Sequence, residues 1–235
     1  MQVSQIYITD GNQGPPPFIQ GCMDTVKSLF HEFDHVVYDL ERARSFLSQH
    51  FGPEVLHAFD QLNPYSYKAD MLRYSLLYAE GGWYFDSAVR PLQRVTVPDT
   101  IETIAFKDMP IISQTSWTCA SAVLYAKPKR PVYATAIEMI VDNVKNKYYG
   151  TNALSPTGPS VLGKAFALHG ENPNAVFGDY IYLTPLHSQR NSAFVLPDGL
   201  ILAFGKPAGG GDLTQLGSSG TNNYNHYYQT RTVYK

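Results

Sequence analysis

The stretch between Pro64 and Asp86 constrains the fold of this chain more strongly than any other part of the sequence. Residues 66–80 carry apolar side chains at spacings of three and four, which predicts a helix with one buried stripe. The members of that stripe are Ala69, Leu72, Leu76 and Ala79. Ser66 is the predicted N-cap, and Gly81-Gly82 are expected to end the helix. Trp83-Tyr84-Phe85 then predicts a short buried strand, with Asp86 at its end, where ligands bind in open α/β sheets.

The rest of the chain alternates between strand-like and helix-like segments. Strands are predicted at 3–9, 35–39, 103–106, 120–125, 180–183 and 194–196, and helices at 22–33, 42–50, 52–61, 133–146 and 160–169. This alternation indicates an α/β fold with a mixed, mainly parallel sheet, and residues 1–235 fit one domain. Glycine and serine dominate 205–221, which predicts a flexible segment.

Composition excludes several classes of function. The chain has a net charge of −2 and no run of Lys or Arg, so a nucleic-acid partner is not expected. No stretch of about 18 apolar residues occurs, which argues against a membrane span. The N-terminus lacks a signal-like pattern, and Cys22 and Cys119 lack metal or redox spacing, so we expect reduced cysteines and a cytoplasmic location.

Asp70 and Arg73 lie three residues apart on the predicted helix, so their side chains are neighbours on one face. Taken alone, this spacing favours an exposed ion pair that contributes about 0.2–0.5 kcal/mol. The strand-end Asp86 that follows favours a binding site instead.

The same segment resembles a known family. Lys68-Ala69-Asp70-Met71-Leu72-Arg73-Tyr74, Leu77-Tyr78 and Gly81-Gly82-Trp83-Tyr84-Phe85-Asp86 resemble the sugar-binding region of the DXD glycosyltransferases. This family includes yeast initiating mannosyltransferases, bacterial capsule enzymes and, more distantly, glucosylating toxins. Weaker similarity lies at Thr157-Gly158-Pro159 and in residues 220–234.

The resemblance implies a GT-A fold, which is Rossmann-like, and a set of donor-site residues. Asp70 would hold sugar hydroxyls, Arg73 would lie near the sugar and diphosphate, and Asp86 would contact ribose or sugar and help to organise a metal. The further donor-binding candidates are Ile6, Tyr7, Tyr84, Ser87, Asn222 and Asn223.

The implied activity is transfer of a hexose or N-acetylhexosamine from a UDP or GDP sugar to an acceptor hydroxyl, with retention of configuration. The acceptor could be a glycan, as in polysaccharide biosynthesis, a lipid-linked oligosaccharide or a protein side chain.

One position departs from the family pattern. The family has D-x-D where this chain has Asp86-Ser87-Ala88, and alanine cannot bind the Mn²⁺ or Mg²⁺ that the resemblance implies. Asp86 and His226 are the remaining candidate metal ligands. The alternatives are a natural variant with weak metal binding, an engineered inactive variant, or a metal-free site in which a cation such as Arg90 stabilises the diphosphate.

Two other functional classes stay open. A nucleotide-sugar-binding pseudoenzyme, suggested by Ala88, would bind donor without turnover. A carbohydrate-binding module would bind glycan regardless of nucleotide.

Overall fold

The structure is a computed structural model that describes residues 1–170, 172–183, 192–207, 213–220 and 223–235. Its strands are β1 (Gln2–Ile6), β2 (Asp34–Tyr38), β3 (Gly82–Phe85), β4 (Arg90–Pro91), β5 (Thr103–Lys107), β6 (Cys119–Ala126), β7 (Ala175–Tyr182), β8 (Ser192–Val195) and β9 (Ile201–Phe204). Its α-helices are α1 (Pro17–Leu29), α2 (Leu40–His50), α3 (Pro53–Gln61), α4 (Tyr65–Ala79), α5 (Pro110–Ser113), α6 (Pro131–Lys145), α7 (Pro159–His169) and α8 (Tyr224–Gln229). Short 3₁₀ turns cover Asp10–Asn12 and Leu213–Leu216.

The strands form one sheet in the order β2-β1-β3-β6-β5-β7-β8-β9-β4. The pairs β1·β2, β1·β3 and β5·β7 are parallel, and the other five pairs of described strands are antiparallel. The predicted mixed α/β fold is therefore confirmed, but the expectation of a mainly parallel sheet is wrong. Short connections such as the turn between β8 and β9 permit antiparallel pairing without a crossover helix, which a parallel pair would need.

Apolar side chains cover both faces of the sheet. One cluster joins helices α2, α3, α4, α6 and α7 to the sheet, and a second lies between the sheet and α1. Among the described helices, none combines the length and the apolar character that a bilayer crossing needs.

Helix α4 is buried on nearly all sides, and the predicted single stripe is wrong. Its buried residues run continuously from Asp70 to Leu77, because α4 packs against the sheet as well as against α6. The helix begins after Pro64, and Ser66 lies inside its first turn instead of capping it.

Gly81 and Gly82 end helix α4 as predicted. Both adopt positive φ angles, of 68° and 93°. A Cβ atom at Gly82 would lie 2.1 Å from the carbonyl oxygen of Gln2, so only glycine lets β3 approach β1 this closely. This tight turn aligns β3 beside β1 and delivers Asp86 to the edge of the sheet.

Six strands end at that same edge. β1, β2 and β3 run parallel, and the alternating pairings through β6, β7 and β8 give β5, β7 and β9 the same direction as β3. Residues that follow these strands, including Asp86, Asp108 and Lys206, therefore meet at one edge even though 120 residues separate the first from the last.

Part of the segment predicted to be flexible is packed. Ser218 is buried, and its hydroxyl lies 2.9 Å from the hydroxyl of Tyr7, which is 211 residues earlier in the sequence. Leu213 and Leu216 pack with Ile19 and Met23. Residues 208–212 and 221 lie outside the described residues.

Candidate active site

Arg73 is a buried cation that connects α4, β3 and β6. Its Nε donates to the carbonyl of Ala69 at 3.1 Å, and its Nη1 donates to the carbonyl of Ser121 at 2.7 Å. Nη1 also lies 2.9 Å from Asp86 Oδ1, and Nη2 lies 3.4 Å from Asp70 Oδ1. The expectation of an exposed ion pair, drawn from spacing alone, is therefore wrong.

Asp86 receives hydrogen bonds on both carboxylate oxygens. The Tyr84 hydroxyl donates to Oδ1 at 2.6 Å, and the ammonium of Lys206 lies 2.6 Å from Oδ2. Burial alone would raise the pKa of Asp86, but the charges of Arg73 and Lys206 hold that pKa below its ordinary value. Asp86 is consequently a permanent anion held by two cations.

Asp70 has a different environment. The Thr157 hydroxyl donates to Oδ2 at 2.8 Å, and the Ser121 hydroxyl lies 3.4 Å from Oδ1. A Cβ atom at Gly158 would lie 3.1 Å from Oδ2, so the turn that carries Thr157 fits closely against the carboxyl group. Burial raises the pKa of Asp70, and the more distant charge of Arg73 only partly offsets this.

Two cavities meet at this network. The larger has a volume of about 640 Å³, within the range of about 300–1,000 Å³ that is usual for ligand pockets. The smaller has a volume of about 50 Å³ and is walled by Ile6, Ile8 and Leu213. Four residues line both cavities, namely Ser66, Arg73, Asp86 and Lys206. The buried hydroxyl of Ser66 has no hydrogen-bond partner among the described residues, so its hydrogen-bonding capacity is unused there.

The structure brings most of the predicted donor-site residues to these cavities. Ile6, Tyr84 and Ser87 line the smaller one, and Asn223 lines the larger one. Asn223 also caps α8, since its side chain accepts from the backbone N–H of His226. Asn222 lies outside the described residues.

Three other candidates lie elsewhere. Tyr7 packs with Ile19 and Met23 and lines a separate surface depression. His226 is exposed on α8, with its ring against Tyr227. Arg90 is exposed on β4 and lines a different depression, beside Asp24 and Leu92.

The sequence reasoning missed four residues of the site. Asp108 follows β5 as Asp86 follows β3, so the rule that selected Asp86 could have found it. Asp108 lines the larger cavity, and burial raises its pKa to about 6. The sequence singled out Thr157 only as part of the Thr157-Gly158-Pro159 stretch, and no motif or spacing in the sequence pointed to Ser121 or Lys206.

The described side chains do not fit a divalent cation. Calcium takes six to eight oxygen ligands, and magnesium is usually held by one or two carboxylates together with waters and substrate phosphates, so either ion needs an accessible carboxylate oxygen. Here both oxygens of Asp86 are engaged by cations or a hydroxyl, and the fully buried Ala88 contributes only a methyl group. No group of three His, Cys, Asp or Glu side chains suited to a metal occurs in the part of the chain that the structure describes.

Comparison with known proteins identifies related sequences and folds. Residues 16–117 match the family described as "Glycosyltransferase sugar-binding region containing DXD motif". The chain is 22% identical over 202 residues to "Uncharacterized glycosyltransferase L373" of Acanthamoeba polyphaga mimivirus, a match that covers 83% of this chain and 78% of the relative.

Two solved structures are also similar. The structure titled "PaToxG Glycosyltransferase" superposes with a TM-score of 0.54 at 18% identity and covers 72% of this chain and 68% of that one. A glycosyltransferase involved in glycosylation of the major capsid of PBCV-1 matches with a TM-score of 0.40 at 9% identity, over 76% of this chain and 82% of that one. The first likeness supports the GT-A type fold, and the sequence matches confirm the resemblance found from residues 68–86.

Proposed function

We propose that this chain is one of the glycosyltransferases whose sugar-binding region contains a DXD motif, and that it moves a hexose or N-acetylhexosamine from a UDP or GDP sugar to an acceptor hydroxyl. The observation that carries the proposal is the buried Asp70–Arg73–Asp86 network at the junction of two cavities. Such a buried charge network is costly to desolvate, and perturbed carboxyl groups in a cleft are characteristic of functional sites.

The donor would lie across both cavities. The nucleoside would lie against the smaller, partly apolar cavity, where Ile6 and Tyr84 form walls and Ser87 offers a polar group; at about 50 Å³ this cavity would have to widen to admit it. The sugar would occupy the larger cavity, where the Asp70 carboxyl group can hydrogen-bond to two hydroxyls. The diphosphate would then lie at the shared junction, beside the guanidinium of Arg73, whose planar geometry suits phosphate oxygens.

The acceptor would enter the larger cavity from the side of Asp108 and Tyr182. Tyr182 is exposed, so the end of a polysaccharide, a lipid-linked glycan or a protein hydroxyl could reach the cavity beside it. Retention of configuration follows the family resemblance, and it would proceed by front-face attack in which the departing phosphate assists the acceptor.

Release of free nucleotide tests the proposal. The protein is incubated with a panel of UDP and GDP sugars, with and without Mn²⁺, and nucleotide release is followed by a coupled assay. We expect release from at least one sugar, and loss of it in Asp86→Asn. NMR of the product then reports the anomeric configuration.

A nucleotide-sugar-binding pseudoenzyme is the second candidate, because Ala88 removes a carboxylate that the family motif contains. This candidate predicts that calorimetry detects binding of a nucleotide sugar, whereas no free nucleotide is released from any UDP or GDP sugar, with or without Mn²⁺. Binding of glycan that is indifferent to nucleotide would instead indicate a carbohydrate-binding module and contradict both candidates.

A further inference from the structure

Lys206 reaches the site because of strand register. Phe204, the last residue of β9, pairs with Arg90 at the start of β4, four residues after Asp86. This pairing holds the end of β9 beside the turn that follows β3. The Lys206 ammonium then lies 2.6 Å from Asp86 Oδ2, with its side chain 31% exposed and that of Asp86 only 8%. Lys206 can therefore still contact a ligand, whereas Asp86 is largely enclosed.

Lys206 also lies where a diphosphate would have to pass. It lines both cavities, together with Ser66, Arg73 and Asp86. A nucleotide sugar that places its nucleoside in one cavity and its sugar in the other has its two phosphates between them. That position is surrounded by Arg73, Lys206 and the buried hydroxyl of Ser66, which has no hydrogen-bond partner in the part of the chain that the structure describes.

The same position lacks the ligands for a divalent cation. Ala88 has replaced the second motif carboxylate, and the Lys206 ammonium lies on the Asp86 oxygen that Arg73 and Tyr84 leave open. An ammonium and a metal ion cannot occupy the same face of one carboxylate oxygen.

We propose that Lys206 takes the place of a divalent cation and neutralises the donor diphosphate, so that donor binding needs no added metal. The proposal rests on the proposed function. During transfer the acceptor oxygen forms a bond to the sugar anomeric carbon while the bond from that carbon to the phosphate oxygen breaks. The bonding electrons stay on the phosphate oxygen, and the acceptor proton passes to the departing phosphate. The Lys206 ammonium stabilises the charge that develops on the diphosphate.

Calorimetric binding of UDP and GDP tests the proposal. The unaltered chain is titrated in EDTA and again in Mn²⁺, alongside Lys206→Gln, Lys206→Arg and, as a matched control, Arg90→Gln. Arg90 is a cation on the neighbouring strand that lines neither cavity, and it is the cation that the sequence pattern favoured.

We expect the unaltered chain to bind one nucleotide equally well in EDTA and in Mn²⁺. Lys206→Gln should bind at least about tenfold more weakly, Lys206→Arg should stay within about threefold, and Arg90→Gln should be unchanged, because charge at position 206 is what the diphosphate needs.

The outcomes separate the two proposals. Binding that requires Mn²⁺, or equal affinity in a folded Lys206→Gln, overturns the role of Lys206 and leaves the proposed function standing. No binding of either nucleotide, nor of any nucleotide sugar, in either buffer overturns the proposed function and this inference with it. The comparison of EDTA with Mn²⁺ uses the unaltered chain, so a requirement for Mn²⁺ would overturn the role of Lys206 even if a variant failed to fold.

Discussion

Two buried carboxyl groups share one guanidinium at the centre of this site, yet their pKa values shift in opposite directions. Asp86 has Arg73 and Lys206 as close partners, so its pKa is lowered. Asp70 has only the longer contact to Arg73 and two hydroxyl groups, and burial raises its pKa. Asp70 is therefore the carboxyl group whose hydrogen bonds a sugar can take over at the smallest electrostatic cost.

Asp70→Asn should weaken donor binding or turnover by at least about tenfold, or about 1.4 kcal/mol, because the amide replaces one of the two carboxylate acceptor oxygens by an NH2 group that can only donate. The free energy of unfolding should not fall, since the amide is isosteric and removes a buried charge. Asp60→Asn, which disrupts the surface pair with Arg44, is the control and should bind donor normally. Normal donor binding by Asp70→Asn would remove Asp70 from the site.

Asp108 gives the protein a pH-dependent stability. Burial raises its pKa from 3.8 to about 6, so the folded state holds the proton more tightly than the unfolded chain. The stabilising contribution is fully present below about pH 3.8 and is lost as the pH rises through about 6.

Asp108→Asn should therefore raise the free energy of unfolding near neutral pH, by at most about 3 kcal/mol, and change it little near pH 4. Urea unfolding at both pH values measures the difference. The backbone N–H of Met109 donates to Asp108 Oδ1 at 2.9 Å, a hydrogen bond that asparagine can keep. Asp34→Asn, at an exposed position on β2, is the matched control. Equal effects of Asp108→Asn at both pH values would contradict the raised pKa.

At the scale of the elements, the site depends on the turn between α4 and β3. Gly82→Ala should lower the melting temperature sharply, because the added Cβ would collide with the carbonyl oxygen of Gln2 and because φ is positive there. The backbone strain alone costs about 1–3 kcal/mol. Gly21→Ala is the matched control. A Cβ at Gly21, inside α1, meets nothing within 4 Å, so this change should stabilise the helix by up to about 1 kcal/mol. Equal melting temperatures for the two variants would show that the close approach of β3 to β1 is not needed.

The sequence was informative wherever the structure is local. Helix α4, the double-glycine turn and β3 are contiguous in the chain, so their pattern predicted both the elements and the position of Asp86. The prediction of a single buried stripe on α4 was wrong because a spacing of three and four identifies one buried face, whereas this helix packs against both the sheet and α6. Strand β4 escaped notice because two residues are too few to show a pattern. Strand β9 is an apolar run of four residues, as β3 is, so the rule that found β3 could have found it.

The whole molecule supplies what local pattern could not. Lys206 and Thr157 reach Asp86 and Asp70 only through the register of β9 with β4 and the packing of the turn before α7. Such contacts join residues about 90 to 120 positions apart, and no spacing rule encodes them. Asp108 is different, since it follows a predicted strand and could have been found.

Residues 213–220 also meet the segment after β1 beside the site. Ser219 donates to the carbonyl of Asp10, the hydroxyl of Ser218 contacts that of Tyr7, and Leu213 forms a wall of the smaller cavity. Residues 213–220 therefore cover the end of β1, where the nucleoside is proposed to bind.

We expect hydrogen exchange at residues 213–220 to slow when a saturating nucleotide is added, because a nucleoside in contact with Leu213 would lower the frequency at which the segment opens. The informative amides are those of Gly217 and Ser218, which donate to the carbonyls of Thr214 and Leu213. Amides of helix α2, whose residues line neither of the two cavities, serve as the reference and should exchange at an unchanged rate. Slower exchange in 213–220 but not in α2 would identify the segment as a closing wall of the donor site. Unchanged exchange in both, at a nucleotide concentration shown by calorimetry to saturate the protein, would mean that the nucleotide binds without contacting this segment, and the smaller cavity would then have to be reassigned.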